Sequence, residues 1–196
     1  LGASLTAPPY SNTALGRAYR RALALTDPEQ AVLEDYAAYT PSEEAPAAFI
    51  ATPIWRRGEK AGVLAIQVSI DEVNRVMTGN GHWAEEGFGA TGQAYMVDAA
   101  NVLRSDLRAP SSRTVVLQPN PGAPVSGSGT AITADGRLLR SWAPLNVPGV
   151  QWFLIAEIDA AEALAPVSAL YLRIAGFGLL IASGFFLVAR WLGEGV

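Results

Sequence analysis

The chain has 196 residues, half of them hydrophobic, and a formal net charge of −4 at pH 7. Its basic residues are scattered singly or in pairs such as Arg20-Arg21, which excludes the basic footprint of a nucleic-acid-binding protein. It contains no cysteine and one histidine, His82. These counts exclude a disulfide framework, a thiolate zinc site and a cysteine nucleophile. We therefore expect no metal, no cofactor and no nucleic-acid partner.

The first part of the chain is expected to form two helices and three strands. Residues 11–13 can cap a helix that extends to about Ala24. Ser69 and Glu72 have the spacing of a capping box, which predicts a second, short helix to about Thr78. Strand character lies between the helices, at 31–39, 47–55 and 61–69.

A loop-rich connector, 79–92, leads to a second set of strands. The dipeptide Asp135-Gly136 predicts a type I′ hairpin turn, because both residue types accept positive φ angles. Strand character recurs at 93–98, 102–106, 114–117, 129–134, 137–145 and 150–158.

Two parts of the chain end in the same order of elements. Pro53-Ile54 lies in a strand that is followed by a turn, a strand, Ile70-Asp71 and a helix. The same order recurs roughly 90 residues later. There it begins at Pro144-Leu145 and ends at Ile158-Asp159 and a helix. The repeat indicates two antiparallel α/β modules in tandem. A chance match of common residues is the alternative.

The segment 159–192 has the composition of a membrane-spanning helix. Asp159 and Glu162 have the spacing of a capping box, so the helix is expected to begin there. The 16 residues 174–189 carry one polar side chain, Ser183. Buried helices of soluble proteins rarely have so long an uncharged run, although such a helix is the alternative.

The segment Gly87-Phe88-Gly89-Ala90-Thr91-Gly92 matches the letters of the dinucleotide-binding fingerprint. That fingerprint requires a helix N-terminus directly after it to receive the pyrophosphate. Here a strand is predicted after it. We therefore interpret the segment as a flexible turn.

Several polar and aromatic side chains are candidates for a ligand pocket. Arg104-Ser105-Asp106 can offer a guanidinium and a hydroxyl to a small anion, with a structural Arg–Asp pair as the alternative. A polar pocket in the first module can be lined by Asp35, Tyr36, Tyr39 and Ser42, with aromatic core packing as the alternative. The complete candidate set is Asp35, Tyr36, Tyr39, Ser42, Phe49, Tyr95, Arg104, Ser105 and Asp106. We find no set of catalytic residues.

The order of several motifs resembles that of the double Cache family of sensor domains. Asp35-Tyr36-x-x-Tyr39-x-Pro41-Ser42 and Gly62-Val63-Leu64-Ala65-Ile66-Gln67 are similar to the second half of a membrane-distal module. Gly89-x-Thr91-Gly92-x-x-Tyr95-Met96-Val97, Leu103-Arg104-Ser105-Asp106 and Ala156-Glu157-Ile158-Asp159 are similar to a membrane-proximal module. The likeness is strongest to sensors that precede class III adenylate or guanylate cyclases. Histidine kinases and chemoreceptors share the architecture.

The resemblance implies a bacterial sensor in the inner membrane, with residues 1–158 extracytoplasmic. In these terms 1–78 is the C-terminal half of the distal module and 79–158 is the proximal module. Residues 159–192 are the signalling helix and span, and 193–196 begin a cytoplasmic juxtamembrane segment. Such sensors bind small metabolites and pass the signal across the membrane.

The sequence therefore predicts an α+β fold with two tandem PAS-like antiparallel-sheet modules, the first incomplete, followed by a C-terminal transmembrane helix. The expected function is small-molecule sensing that regulates a nucleotide cyclase beyond Val196. A histidine kinase or a chemoreceptor is the alternative output, and a non-sensing dimerisation domain is the alternative role. We expect a homodimer, and no enzyme activity within these residues.

Overall fold

The computed structural model describes residues 4–108 and 115–193, except the side chains of residues 191 and 192. Its helices are α1 (Ala14–Ala24), α2 (Ile70–Met77) and α3 (Ala160–Gly193). Its strands are β1 (Val32–Tyr39), β2 (Ala45–Arg56), β3 (Glu59–Val68), β4 (Gln93–Asp98), β5 (Gly129–Ile132), β6 (Leu138–Leu145) and β7 (Trp152–Asp159). The fold is α+β with two antiparallel sheets and an apolar C-terminal helix, as predicted. Residues 1–3, 109–114 and 194–196 lie outside the described part. They include the first residue of the strand predicted at 114–117 and most of the predicted juxtamembrane segment 193–196.

The first sheet has the order β1-β2-β3, and α1 covers one of its faces. Thr13 caps α1 by accepting a hydrogen bond from the Gly16 amide at 3.2 Å. The alanines at positions 14, 18 and 22 are buried on one side of α1, where their small side chains let it pack closely on Phe49. The opposite face of the sheet carries exposed Ile50, Leu64 and Ile66.

Of the two hairpin turns, one differs from the prediction. The loop between β2 and β3 has positive φ angles at both Arg57 and Gly58, which is the type I′ pattern. In the loop between β5 and β6 Gly136 has a positive φ but Asp135 does not, so the predicted type I′ turn there is wrong. The Asp135 carboxylate instead accepts hydrogen bonds from the Thr133 hydroxyl and the Arg137 amide, which stabilises a longer loop.

The second sheet has the order β4-β7-β6-β5. Residues 102–106, predicted as a strand, form only isolated bridges. Side chains add to the few backbone hydrogen bonds that join this segment to β4. The Asp98 carboxylate accepts from the Val102 amide at 2.8 Å, and the Ser105 hydroxyl accepts from the Met96 amide at 2.9 Å.

The two sheets meet at a shared core and an ion-pair cluster. Tyr36 of β1 stacks on Trp152 of β7, with ring centroids 6.1 Å apart. The Asp35 carboxylate accepts hydrogen bonds from the Trp152 indole at 3.1 Å and from the Arg104 guanidinium at 3.0 Å. Arg104 also donates to Asp98 at 2.7 Å. One buried guanidinium therefore bridges a carboxylate from each sheet.

Neither predicted capping box forms. Ser69 makes no side-chain cap, and Glu72 instead pairs with Arg75 one turn later in α2. Asp159 does cap α3, since its carboxylate accepts from the Ala161 amide at 2.8 Å. Glu162 does not return to the Asp159 amide and instead contacts a distant loop, described below.

Helix α3 begins at the residue after β7. Its span candidate, Ala160–Arg190, contains an 18-residue window with a mean hydropathy of 2.0, and none of that window is buried within the described structure. These 31 residues rise about 46 Å, more than the roughly 30 Å of a bilayer core. By length and composition this helix can cross a membrane.

Candidate functional site

A cavity of about 700 Å³, partly open to solvent, lies over one face of the second sheet. Its floor is formed by the side chains of β4, β6 and β7 that point to that face. Its apolar walls include Leu107, Val125, Ile132, Leu138 and Trp142. The volume falls within the range typical of small-molecule sites.

Four polar side chains form the floor of the cavity, and we call them the polar cluster: Gln93, Tyr95, Arg140 and Glu157. The register places Gln93 and Arg140 directly opposite Glu157 on its two sides. The Arg140 Nε donates to Glu157 Oε1 at 2.5 Å, and the Tyr95 hydroxyl donates to the same oxygen at 2.9 Å. Gln93 donates to the other carboxylate oxygen at 3.3 Å. Glu157 therefore holds the cluster together.

The polar cluster is largely removed from water. Arg140 is 8% exposed and Glu157 is 7% exposed. Burial, and secondly the negative charge of Glu157, raises the pKa of Tyr95 well above its ordinary value. The Tyr95 hydroxyl consequently remains protonated and acts as a hydrogen-bond donor over the whole physiological range.

The loop that closes one side of the cavity is held by Arg140 and by two asparagines. Arg140 Nη1 donates to the Ala123 carbonyl at 3.2 Å. Asn101 donates to the Gly122 carbonyl at 2.9 Å, and Asn120 donates to the side-chain oxygen of Asn101 at 3.1 Å. A Cβ atom at Gly122 would collide with the guanidinium of Arg140, so a larger residue here would displace that buried guanidinium.

The glycine-rich segment 87–92 binds the first turn of α3, an arrangement that we call the helix clamp. The amides of Ala90 and Thr91 donate to the Glu162 carboxylate at 2.7 and 2.9 Å, and the Thr91 hydroxyl donates to it at 2.5 Å. The same hydroxyl accepts from the Asp159 amide at 3.0 Å. Gly89 has φ +63° and faces Glu162 where a Cβ would collide. The segment is a turn, as interpreted, but it is fixed by α3.

Arg108 connects the helix clamp to the cavity. Its guanidinium donates to the carbonyls of Gly92 at 2.5 Å and Gly89 at 3.2 Å. Its backbone amide donates to the side-chain oxygen of Gln93 at 3.1 Å, and Gln93 belongs to the polar cluster. A continuous set of hydrogen bonds thus joins the cavity floor to the start of α3.

No protein-family model and no curated protein matches the chain. Solved structures do. The ligand-binding domain of the Pseudomonas aeruginosa amino acid chemoreceptor PctC, in complex with GABA, has a TM-score of 0.53 and 18% identity over 81% of this chain and 65% of that one. The corresponding domain of PctB from the same organism, in complex with L-Gln, has a TM-score of 0.51 and 18% identity over 84% of this chain and 65% of that one. The chain has the fold of a chemoreceptor ligand-binding domain.

The domain of Pseudomonas fluorescens chemoreceptor CtaA, in complex with L-leucine, gives a TM-score of 0.50 and 17% identity over 74% of this chain and 59% of that one. The chain thus spans less than two thirds of the length of these structures. The likeness supports the Cache-type sensor fold that the sequence resemblance implies. It gives no support to the finer resemblance to cyclase sensors.

Of the predicted ligand-binding residues, Tyr95 alone lines the cavity. Asp35, Tyr36 and Arg104 lie at the junction between the sheets. Ser105 and Asp106 accept hydrogen bonds from the Met96 amide and from the Asn74 side chain, and so fix the loop after β4. Tyr39 and Phe49 pack edge to face in the core under α1, and Ser42 lies half-buried in a short 3₁₀ turn. Their role in binding stays a prediction.

The sequence reasoning missed Arg140 and Glu157. Each interrupts a strand at a position whose neighbours two residues away are large and apolar: Leu138 and Trp142 flank Arg140, and Ile155 precedes Glu157. Because side chains alternate across a strand, this pattern places a charge on the inward face. That signal was available, but only the register shows that the two charges meet.

The hydroxyl of Tyr36 gives a pH-dependent prediction. Tyr36 is 4% exposed, and its hydroxyl has no hydrogen-bond partner among the described residues. Burial, with the nearby charge of Asp35, raises the pKa of Tyr36 to about 12 from its ordinary 10.0. The folded state therefore holds this proton more tightly, so its contribution to stability is complete below pH 10 and is lost as the pH rises toward 12.

We expect Tyr36→Phe to leave the free energy of unfolding within about 1 kcal/mol of wild type at pH 7, because no hydrogen bond is lost. Between pH 10 and 12 the variant is expected to lose less stability than wild type. Urea unfolding followed by tryptophan fluorescence across this range measures both effects. Parallel curves for the two proteins at alkaline pH would contradict the prediction.

Proposed function

We propose that the chain is the extracytoplasmic small-molecule sensing input of a bacterial transmembrane signalling protein. The observation that carries the proposal is the cavity on the second sheet, whose strand β7 passes at Ala160 directly into the apolar helix α3. A ligand in this cavity would touch Glu157, which lies three residues before α3. The fold shared with chemoreceptor ligand-binding domains supports the same function.

Within this proposal, residues 1–78 and 79–158 form two PAS-like modules outside the inner membrane, and 159–192 form the signalling helix and span. A non-sensing dimerisation domain would not be expected to have a cavity of this size, so the cavity favours sensing over that alternative role. We further propose that the chain works as a homodimer and has no catalytic activity of its own.

The output controlled by α3 is proposed to be a nucleotide cyclase, as the sequence motifs suggest. A chemoreceptor output is the second candidate. It is favoured by one specific observation, since the structures with the same fold are chemoreceptor domains, and those were solved with amino acids or GABA. A histidine kinase output rests on the resemblance alone.

A ligand can shift signalling only if it binds two conformations with different affinity. The hydrogen bonds from the cavity to α3 provide a physical route for such a difference. Glu157 is in β7 itself, and Gln93 contacts Arg108, which holds the loop of the helix clamp. A ligand that moves either residue changes the support of the first turn of α3.

The proposal is tested with the intact parent protein in lipid nanodiscs and a panel of small metabolites. We expect at least one metabolite to raise the unfolding temperature of wild type, because binding to the folded state stabilises it. Ala131→Trp, which fills the cavity from β5, is expected to abolish that rise. Ala143→Trp is the matched control, since Ala143 is also exposed on the second sheet but does not line the cavity.

If no metabolite stabilises the protein, or if Ala131→Trp leaves the stabilisation intact, the cavity is not a ligand site and the proposal fails. Loss of the effect in both tryptophan variants would assign it to the sheet as a whole, which also contradicts a site at the cavity.

The helix clamp provides a separate prediction about coupling. Thr91→Val removes the hydroxyl that contacts both Glu162 and the Asp159 amide. We expect the variant to bind ligand within about twofold of wild type, but its ligand-dependent output should fall roughly fivefold or more, which lies in the usual range of coupling energies. Binding is measured by calorimetry and output by the activity of the intact protein.

Thr52→Val is the control for this experiment. It removes a threonine hydroxyl that also makes a long-range hydrogen bond, to the Gln30 carbonyl, but on the first sheet. An unchanged output in Thr91→Val, or an equal loss in both variants, would contradict a coupling role of the helix clamp.

A further inference from the structure

The charges that line the cavity are already balanced without a ligand. Arg140 is the one basic residue among the described lining residues, and the same lining includes two carboxylates, Glu157 and Asp135. Glu157 neutralises the buried guanidinium at 2.5 Å. Asp135 lies at the rim, where hydrogen bonds from Thr133 and the Arg137 amide lower its pKa and keep it ionised. The described lining of the cavity therefore presents no net positive charge.

The hydrogen bonds of Arg140 are largely committed as well. Its Nε and Nη2 face the Glu157 carboxylate, and its Nη1 donates to the Ala123 carbonyl. A ligand carboxylate or phosphate would have to displace Glu157 from this guanidinium. That exchange would leave the Glu157 carboxylate buried and without its counter-charge, which is strongly unfavourable.

The rest of the cavity suits an uncharged molecule. The walls are carbon-rich and include the indole of Trp142, which can stack on a flat apolar group. Neutral polar groups are supplied by the amides of Gln93 and Asn120. An apolar body with a hydrogen-bonding head therefore gains contacts here without disturbing the polar cluster.

We infer that the ligand of this cavity is an uncharged or singly positive organic molecule with an apolar body, and that carboxylates and phosphates are rejected by Glu157. This inference rests on the proposed sensing function, and it names the class of molecule that the site would sense. It also predicts that an amine binds better than the α-amino acid with the same side chain, since the added carboxylate finds no free cation among the described lining residues.

The inference is tested with matched sets of probes that share an apolar body and differ in the head group. For the phenyl body these are 2-phenylacetamide, 2-phenylethylamine and phenylacetate, and the same heads are placed on isobutyl and indolyl bodies. Affinities for the intact protein in nanodiscs are measured by calorimetry. Within each set whose body binds, we expect the carboxamide or the amine to bind on the order of tenfold or more tightly than the carboxylate. The reason is that a probe carboxylate would be brought close to the like charge of Glu157, which is costly at a binding site.

Glu157→Gln gives the decisive comparison. The substitution keeps the shape of the side chain and an oxygen that accepts from Tyr95 and Arg140, but it leaves the guanidinium without a counter-charge. The order of affinities is therefore expected to reverse, so that the carboxylate binds most tightly. Asp135→Asn, at the exposed rim, is expected to shift the order in the same direction but less.

The outcomes separate this inference from the sensing function. If carboxylates or phosphates are the molecules that bind wild type most tightly, sensing stands and the inferred ligand class is wrong. An unchanged order of affinities in folded Glu157→Gln likewise contradicts the role of Glu157. If neither these probes nor the metabolite panel binds, the sensing function proposed for the cavity fails, and this inference fails with it. Should Glu157→Gln not fold, the wild-type order alone decides.

Discussion

Glu157→Ala is expected to lower the free energy of unfolding by about 3–5 kcal/mol, which is the usual cost of breaking a buried ion pair from one side. The substitution leaves the Arg140 guanidinium buried without a counter-charge, and it removes the acceptor of the Tyr95 hydroxyl. Urea unfolding in nanodiscs, followed by tryptophan fluorescence, measures the loss. A change below about 1 kcal/mol would contradict the buried pair.

The control is Glu72→Ala, which breaks the exposed ion pair with Arg75 in α2. Those side chains are 66% and 54% exposed, so the expected loss is below about 1 kcal/mol. The double variant Arg140→Met with Glu157→Leu is expected to recover most of the stability lost in Glu157→Ala, because apolar residues of similar volume often replace a buried ion pair at little cost.

Arg104→Met is expected to cost about 2–3 kcal/mol and to separate the unfolding of the two sheets. The guanidinium bridges Asp35 of the first sheet and Asp98 of the second, so its loss leaves two carboxylates at the junction unpaired. We place the cost below that of Glu157→Ala because the Asp35 side chain is one third exposed and water can partly solvate it.

Hydrogen exchange of β1–β3 and of β4–β7 measures whether the sheets still unfold together. In wild type we expect one shared transition, and in Arg104→Met two that no longer coincide. Arg56→Met, at an exposed position at the end of β2, is the control and should keep a single transition. A single transition in Arg104→Met would contradict the role of this residue in joining the sheets.

Much of the local structure could be predicted from the sequence. The bounds of β4, and the ends of α1 and α2 to within a residue, follow from an apolar run between polar residues and from helix periodicity. The helix α3 could also be predicted, from the apolar composition of its segment. Such features depend on residues that are close together in the chain, where a single sequence contains the needed information.

Some differences from the sequence analysis have one physical cause, which is competition from distant partners. Glu162 matches a capping box but binds Ala90 and Thr91, more than 70 residues earlier. Arg104 was a candidate for binding an anion, with a structural Arg–Asp pair as the alternative, and the fold brings Asp35 from 69 residues away to its guanidinium. A local pattern cannot reveal that a stronger partner will be brought close by the fold.

The candidate cavity was the least predictable part. Its polar cluster joins three strands, and the loop over it follows a long connection, so no contiguous motif encodes it. Tyr95 was identified through a family resemblance. Arg140 and Glu157 were recognisable as charges at inward-facing positions, but their partnership needed the strand register.

The place of β7 within its sheet limits the kind of motion that can be passed to α3. β7 is an inner strand, hydrogen-bonded to β4 along one side and to β6 along the other. Sliding it along its own axis, like a piston, would break both ladders at once. Tilting or rotating the sheet as a rigid plate breaks neither. Under the proposed sensing function, we therefore expect a ligand to move α3 together with the whole second sheet and not by sliding β7 between its neighbours.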